Sequence, residues 1–150
     1  MKKVIILIAV IFVLIQFFRP EKNISEKENF NSIEKQHAVP KNVSLILKTS
    51  CYDCHSNNTH YPWYNNIQPL AWWLNKHVVE GKRELNFDEF NRYSSEKKKK
   101  KLTEIIDEIE KKDMPLYSYT IIHSNAKISL EQQKEVNNWA KKLKDSLDFK

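Results

Sequence analysis

Residues 51–81 read CYDCHSNNTHYPWYNNIQPLAWWLNKHVVEG, and the second half of that stretch has the grammar of a helix. Pro69 stands at the first turn, where a missing N–H costs nothing. Leu70, Trp72, Trp73, Leu74, His77 and Val78 follow, and Gly81 is the expected C-terminal stop. Gly81 is also the one glycine among 150 residues. A chain so poor in glycine cannot build a glycine-rich phosphate loop, so dinucleotide fingerprints and P-loops are excluded. Nor can it supply the positive-φ residues that many tight hairpins need, so helices are favoured over an all-β fold.

The same periodicity continues outward. Val43, Leu45, Ile46 and Leu47 predict a short helix that runs into Thr49-Ser50-Cys51. Asn86 with Glu89 has the spacing of a capping box, for a short helix containing Phe87 and Phe90. Leu102, Ile105, Ile106 and Ile109 fall at i, i+3, i+4 and i+7, one face of an amphipathic helix that ends near Lys112. Ser129 with Gln132 repeats the capping-box spacing, ahead of a stripe formed by Val136, Trp139, Ala140, Leu143 and Leu147. Five lysines, Lys97 to Lys101, point in every direction at helical spacing. They read as a solvated stretch of helix, with electrostatic docking to an acidic partner or anionic headgroups as the alternative.

At the N-terminus, Val4 to Phe18 form a 15-residue apolar run broken only by Gln16, after Lys2 and Lys3 and before Arg19. The run ends in bulky residues rather than the small ones of a cleavage site, so it reads as an uncleaved membrane anchor with a cytoplasmic N-terminus and the remainder in the periplasm. Glu21 to Gln36, rich in Glu, Lys, Asn and Ser, reads as a tether. The expected organisation is an anchor over residues 1–19, a tether over 20–39, and one domain over 40–150. The formal net charge is +6, and Lys2, Lys3 and Arg19 carry half of it. The mildly basic remainder does not suit a nucleic-acid partner.

The chemistry lies in Cys51-Tyr52-Asp53-Cys54-His55. C-x-x-C-H is the attachment signature of c-type haem: two thiols reach the two vinyl groups of one porphyrin, and the next side chain turns its imidazole to the iron. Two other readings compete. A thiol-redox pair would need a βαβ context that a helical pattern does not provide. A zinc site would need two histidines besides the cysteines, and no compact H-x3-5-H pair exists. The iron's sixth ligand is expected to be Met114, in an Asp-Met-Pro loop directly after a helix and 59 residues beyond His55. His123, His77 and His60 are the alternatives, along with an open position. Among the aromatics, Trp63 and Trp72 are the candidates for the porphyrin wall.

The stretch CYDCHSNNTHYPWYNNIQPLAWWLNKHVVEGKRELNF, followed by DMPLYSYTIIHSNAKISLEQQKEVNNWA, resembles the small bacterial haem-binding domain family. Its members share C-x-x-C-H, a P-W-Y segment, an E-G-R or E-G-K-R turn, a Met-Pro loop and a late tryptophan. The resemblance covers about Pro40 to Leu143. It implies one covalent haem c on Cys51 and Cys54, axial His55 and, as its partner, Met114. Leu116 stands where many relatives carry a second proline. The expectation is therefore an all-α, cytochrome c-like small domain behind an N-terminal membrane helix. It would carry single electrons to a redox partner rather than act as an enzyme. A haem sensor or small-gas binder with a displaceable ligand is the alternative, as is a peroxidase-like protein using Arg83 and His77.

Overall fold

The computed structural model describes residues 1–27 and 29–148. Among them there are helices and no strands: α1 (Lys2–Ile15), α2 (Ile33–Gln36), α3 (Lys41–Ser50), α4 (Tyr52–His55), α5 (Leu70–Glu84), α6 (Ser95–Glu110), α7 (Tyr117–Thr120) and α8 (Leu130–Ser146). Short 3-10 turns lie at Trp63–Asn66, Phe87–Arg92 and Ser124–Ala126.

The core forms where the periodicity places it. Leu102, Ile105, Ile106 and Ile109 of α6 meet Val136, Trp139, Ala140 and Leu143 of α8, with Leu147 just beyond. Val43, Ile46 and Leu47 bring α3 onto the same cluster. Trp139 buries its ring there and donates its indole N–H to the Ala38 carbonyl at 3.2 Å, which satisfies the one polar atom it carries inward. The Ser129–Gln132 capping box is present in both directions. At Asn86 the side chain accepts the Asp88 N–H at 3.0 Å. Glu89 does not complete that box, because it is engaged with Asn57 at 3.0 Å and Arg92 at 2.9 Å.

Three expectations are corrected. The first is the membrane helix. No helix among the described residues is long and apolar enough to cross a membrane. The 14 residues of α1 span about 21 Å at 1.5 Å per residue, against a hydrocarbon core of about 30 Å. Gln16 ends the helix for a polar reason: its side-chain oxygen accepts the Gln68 N–H at 2.9 Å, drawing the chain toward the turn before α5. The Phe18 carbonyl then accepts the Gln68 amide and the Trp72 indole N–H, both at 2.8 Å. The anchor is withdrawn, and with it the ground for a periplasmic placement.

The second concerns the segment read as a tether. Ile33 is fully buried in the core. Asn23 donates its side-chain amide to the Ser56 carbonyl at 3.0 Å and to the Thr59 hydroxyl at 2.9 Å, while its backbone N–H meets the Tyr61 hydroxyl at 2.7 Å. Isolated polar and apolar residues at 20–39 thus make tertiary contacts that their composition does not reveal.

The third is Gly81, which does not stop α5, because the helix runs three residues further. A Cβ at Gly81 would lie 2.8 Å from the Cys54 carbonyl oxygen and 3.0 Å from the Cys54 Cβ. The position serves close approach between two helices rather than termination.

The lysine run is divided. Lys97 lies over the Tyr93 ring at 4.2 Å, Lys99 pairs with Asp148, and Lys100 faces Glu104 at 3.7 Å. Lys101 is buried and salt-bridged to Glu104 at 2.7 Å, with Glu84 at 3.8 Å.

Candidate functional site

The C-x-x-C-H motif occupies the end of α3 and the single turn of α4. Cys51 closes α3 by donating its N–H to Leu47 at 2.9 Å, and the Cys51 carbonyl accepts the Cys54 and His55 N–H groups at 3.2 and 2.9 Å. Both cysteines are thus presented on one tight turn. They are free thiols and not a disulfide. Burial pushes the Cys51 thiol up to about 12, with Cys54 as a second cause, and burial with the nearby Asp53 charge pushes Cys54 up to about 11. Redox-active thiols need the opposite shift, toward the thiolate. The thiol-redox reading therefore loses its electrostatic basis.

His55 is held by α5 and the turn after it. Its Nδ1 lies 3.0 Å from the Leu85 carbonyl oxygen, the cap residue of α5. A carbonyl can only accept, so Nδ1 carries the proton and Nε2 keeps the lone pair. Burial holds the His55 pKa below its ordinary value, which keeps the ring neutral and fit to bind a metal. Phe87 fixes the ring plane: it stacks on Tyr52 at 5.2 Å and meets His55 edge-on at 6.4 Å. Residues 81–87 thus touch the motif three times, at Cys54, at His55 and at Tyr52.

Beside the motif lies a cavity in two lobes of about 420 and 280 Å³, the larger already within the usual range for a small-molecule site. Cys51, His55, Glu84, Met114 and Pro115 line both lobes. Leu85, Phe87, Ile105 and Ile109 give the larger lobe an apolar wall. Cys54, His77, Gly81 and Tyr119 belong to the smaller one.

Met114 reaches the cavity because of how α6 ends. Lys112 takes φ 63°, the left-handed position usually given to glycine. The Asp113 and Lys112 N–H groups return to the Glu108 and Ile109 carbonyls at 3.0 and 3.1 Å, a Schellman closure. The Met114 N–H joins the Glu108 carbonyl at 3.1 Å.

Cys51, Cys54, His55 and Met114, far apart in sequence as two groups, are therefore brought to one cavity. The two tryptophans are not. Trp63 is 76% exposed, Trp72 spends its indole N–H on Phe18, and neither lines either lobe. Among the alternative ligands, His77 lines the smaller lobe with its ring against Trp73 at 4.4 Å. His123 stacks on Tyr119 and binds the Tyr64 hydroxyl through Nε2 at 2.9 Å, outside the lining. His60 is exposed. Among the described residues no three of His, Cys, Asp and Glu are grouped so as to hold a metal ion by themselves. Of the aromatics around and beyond the motif, Tyr119 does reach the wall, whereas sequence reasoning missed Lys101 in the wall and Gly81 beneath the motif. Only the rarity of glycine was a signal.

These features fit a haem: two protonated thiols, a neutral imidazole with Nε2 unclaimed, a sulfur donor from a distant loop, and an apolar cavity among them. A helical fold with such a cavity defines a small haem-binding class. The chain matches the family model described as "Haem-binding domain" over residues 10–142, and it belongs to that family. No curated protein and no solved structure matches it.

Proposed function

We propose that this chain is a monohaem c-type cytochrome domain that transfers single electrons. Cys51 and Cys54 would hold the haem through thioether bonds, and His55 Nε2 and the Met114 sulfur would bind its iron. The observation that carries the reading is the presence of Met114 in both lobes of the cavity that Cys51 and His55 line. When bound, the haem supplies a one-electron iron couple.

The chain's own residues set the conditions for that couple. The Leu85 carbonyl orients His55 and makes Nε2 a stronger donor. Leu85, Phe87, Ile105 and Ile109 make one side of the larger lobe apolar, while Glu84, Glu104, Glu108 and Lys101 bring charge to its wall; thioether ligation would favour the reduced state. A carrier is supported over a peroxidase-like enzyme by Arg83. Its side chain is 70% exposed, it lies 3.4 Å from Glu84, and it is absent from the cavity wall. Electrons would pass to a partner protein at the cavity mouth.

The test is the ferric spectrum of the holoprotein. The wild type should show the weak long-wavelength charge-transfer band of sulfur ligation, and Met114→Ala should lose it while keeping covalent haem, since attachment needs only Cys51, Cys54 and His55. A band that survives Met114→Ala, or a spectrum altered instead by His77→Ala, would overturn the ligand assignment.

A further inference from the structure

We propose that Tyr119 is the positioning residue for Met114: its hydroxyl ties the ligand loop to Asp53 inside the haem-attachment motif. The inference rests on the reading of Met114 as the sixth ligand.

The Tyr119 hydroxyl donates to Asp53 Oδ2 at 2.7 Å across 66 residues of sequence. Among the described residues it is the hydrogen bond that joins the 51–55 motif to the 114–120 loop. Asp53 is a fixed point. Its Oδ1 accepts the His60 N–H at 3.0 Å, and its carbonyl accepts the Thr59 hydroxyl at 2.7 Å. Burial, then Asp53 itself, push the Tyr119 phenol above its ordinary value, so it stays a donor.

The loop is thereby held at both ends. On the α6 side the Schellman closure sets where Met114 leaves the helix. On the α7 side, five residues later, Tyr119 fastens it to the turn that carries both cysteines. Tyr119 lines the smaller lobe together with Met114, Pro115 and Leu116. Its ring is separately fixed by stacking on His123 at 4.4 Å and 23°, and His123 is itself bonded to Tyr64. The hydroxyl is therefore not needed to keep the ring in place. Its role is the link to Asp53, which sets how firmly the sulfur is held over the motif.

The experiment compares wild-type and Tyr119→Phe holoprotein, reading the ferric sulfur-to-iron band and the rate of carbon monoxide binding to the ferrous form. Covalent haem content should be equal in the two. Tyr119→Phe should weaken the band and speed carbon monoxide binding about tenfold, the factor that about 1.4 kcal/mol gives. Asp53→Asn, which keeps an acceptor oxygen without the charge, should fall between them and add nothing in the Tyr119→Phe background. An unchanged band and rate in Tyr119→Phe, with only a lower melting temperature, would make the contact merely structural and overturn the proposal. A wild type without the band would instead overturn the Met114 reading, and the positioning role with it.

Discussion

The α3–α6–α8 core and the C-x-x-C-H region around α4 and α5 are held by different physics. In the core, four residues of α6 and four of α8 bury apolar side chains against one another, and the one polar atom of Trp139 is capped by a carbonyl. Around the motif the contacts are single atoms placed by neighbours. The Leu85 carbonyl holds His55, a missing Cβ at Gly81 admits Cys54, and one hydroxyl joins Asp53 to the loop that carries Met114. A core of the first kind tolerates loss of detail until its volume is wrong. A site of the second kind fails when one atom moves.

The largest effect belongs to the core. Leu102 is fully buried, and Leu102→Ala should cost about 2–5 kcal/mol in urea unfolding. Covalent haem in the folded fraction should stay near one per chain. Equal loss of haem would erase the distinction between the two regions.

Gly81→Ala should show the reverse pattern. The new methyl meets backbone at Cys54, and overpacking costs about 1–3 kcal/mol, partly offset by the better helix propensity of alanine, about 1 kcal/mol. Net stability should fall little, while the haem-to-protein ratio after maturation falls below that of Leu102→Ala. Normal loading would show that α4 can shift without penalty.

The smallest effect is at Lys112, whose positive φ glycine would adopt freely. Relief of the left-handed penalty, about 1–2 kcal/mol, less the entropic cost of glycine, about 0.5–1 kcal/mol, should leave Lys112→Gly slightly more stable and the ferric spectrum unchanged. Destabilisation would show that the lysine side chain has a role of its own.

The same contrast explains what could be read in advance. The α6 and α8 stripes and the Ser129–Gln132 capping box are local, repeating every three or four residues, so the sequence displays them directly. C-x-x-C-H is likewise local, and Met114 stood out by its rarity. Ile33 and Asn23 were hidden, because an isolated residue in a polar stretch becomes structural only through partners far along the chain. Gly81 was noticed for a local reason, termination, whereas the operative one is tertiary. Trp63 and Trp72 were drawn to the porphyrin by their chemistry, yet aromatic content does not say which face a ring occupies. Gln16 looked like a flaw in an apolar run, but it is where that run ends and bonds to the residue before Pro69.

The central claim is covalent haem on Cys51 and Cys54, and intact-mass measurement under denaturing conditions tests it most directly. Protein made with a cytochrome c maturation system should carry the mass of one haem through acid-acetone extraction and unfolding. The Cys51→Ala, Cys54→Ala double variant should carry none. A wild-type chain of bare polypeptide mass, its haem extracted into solvent, would contradict the account.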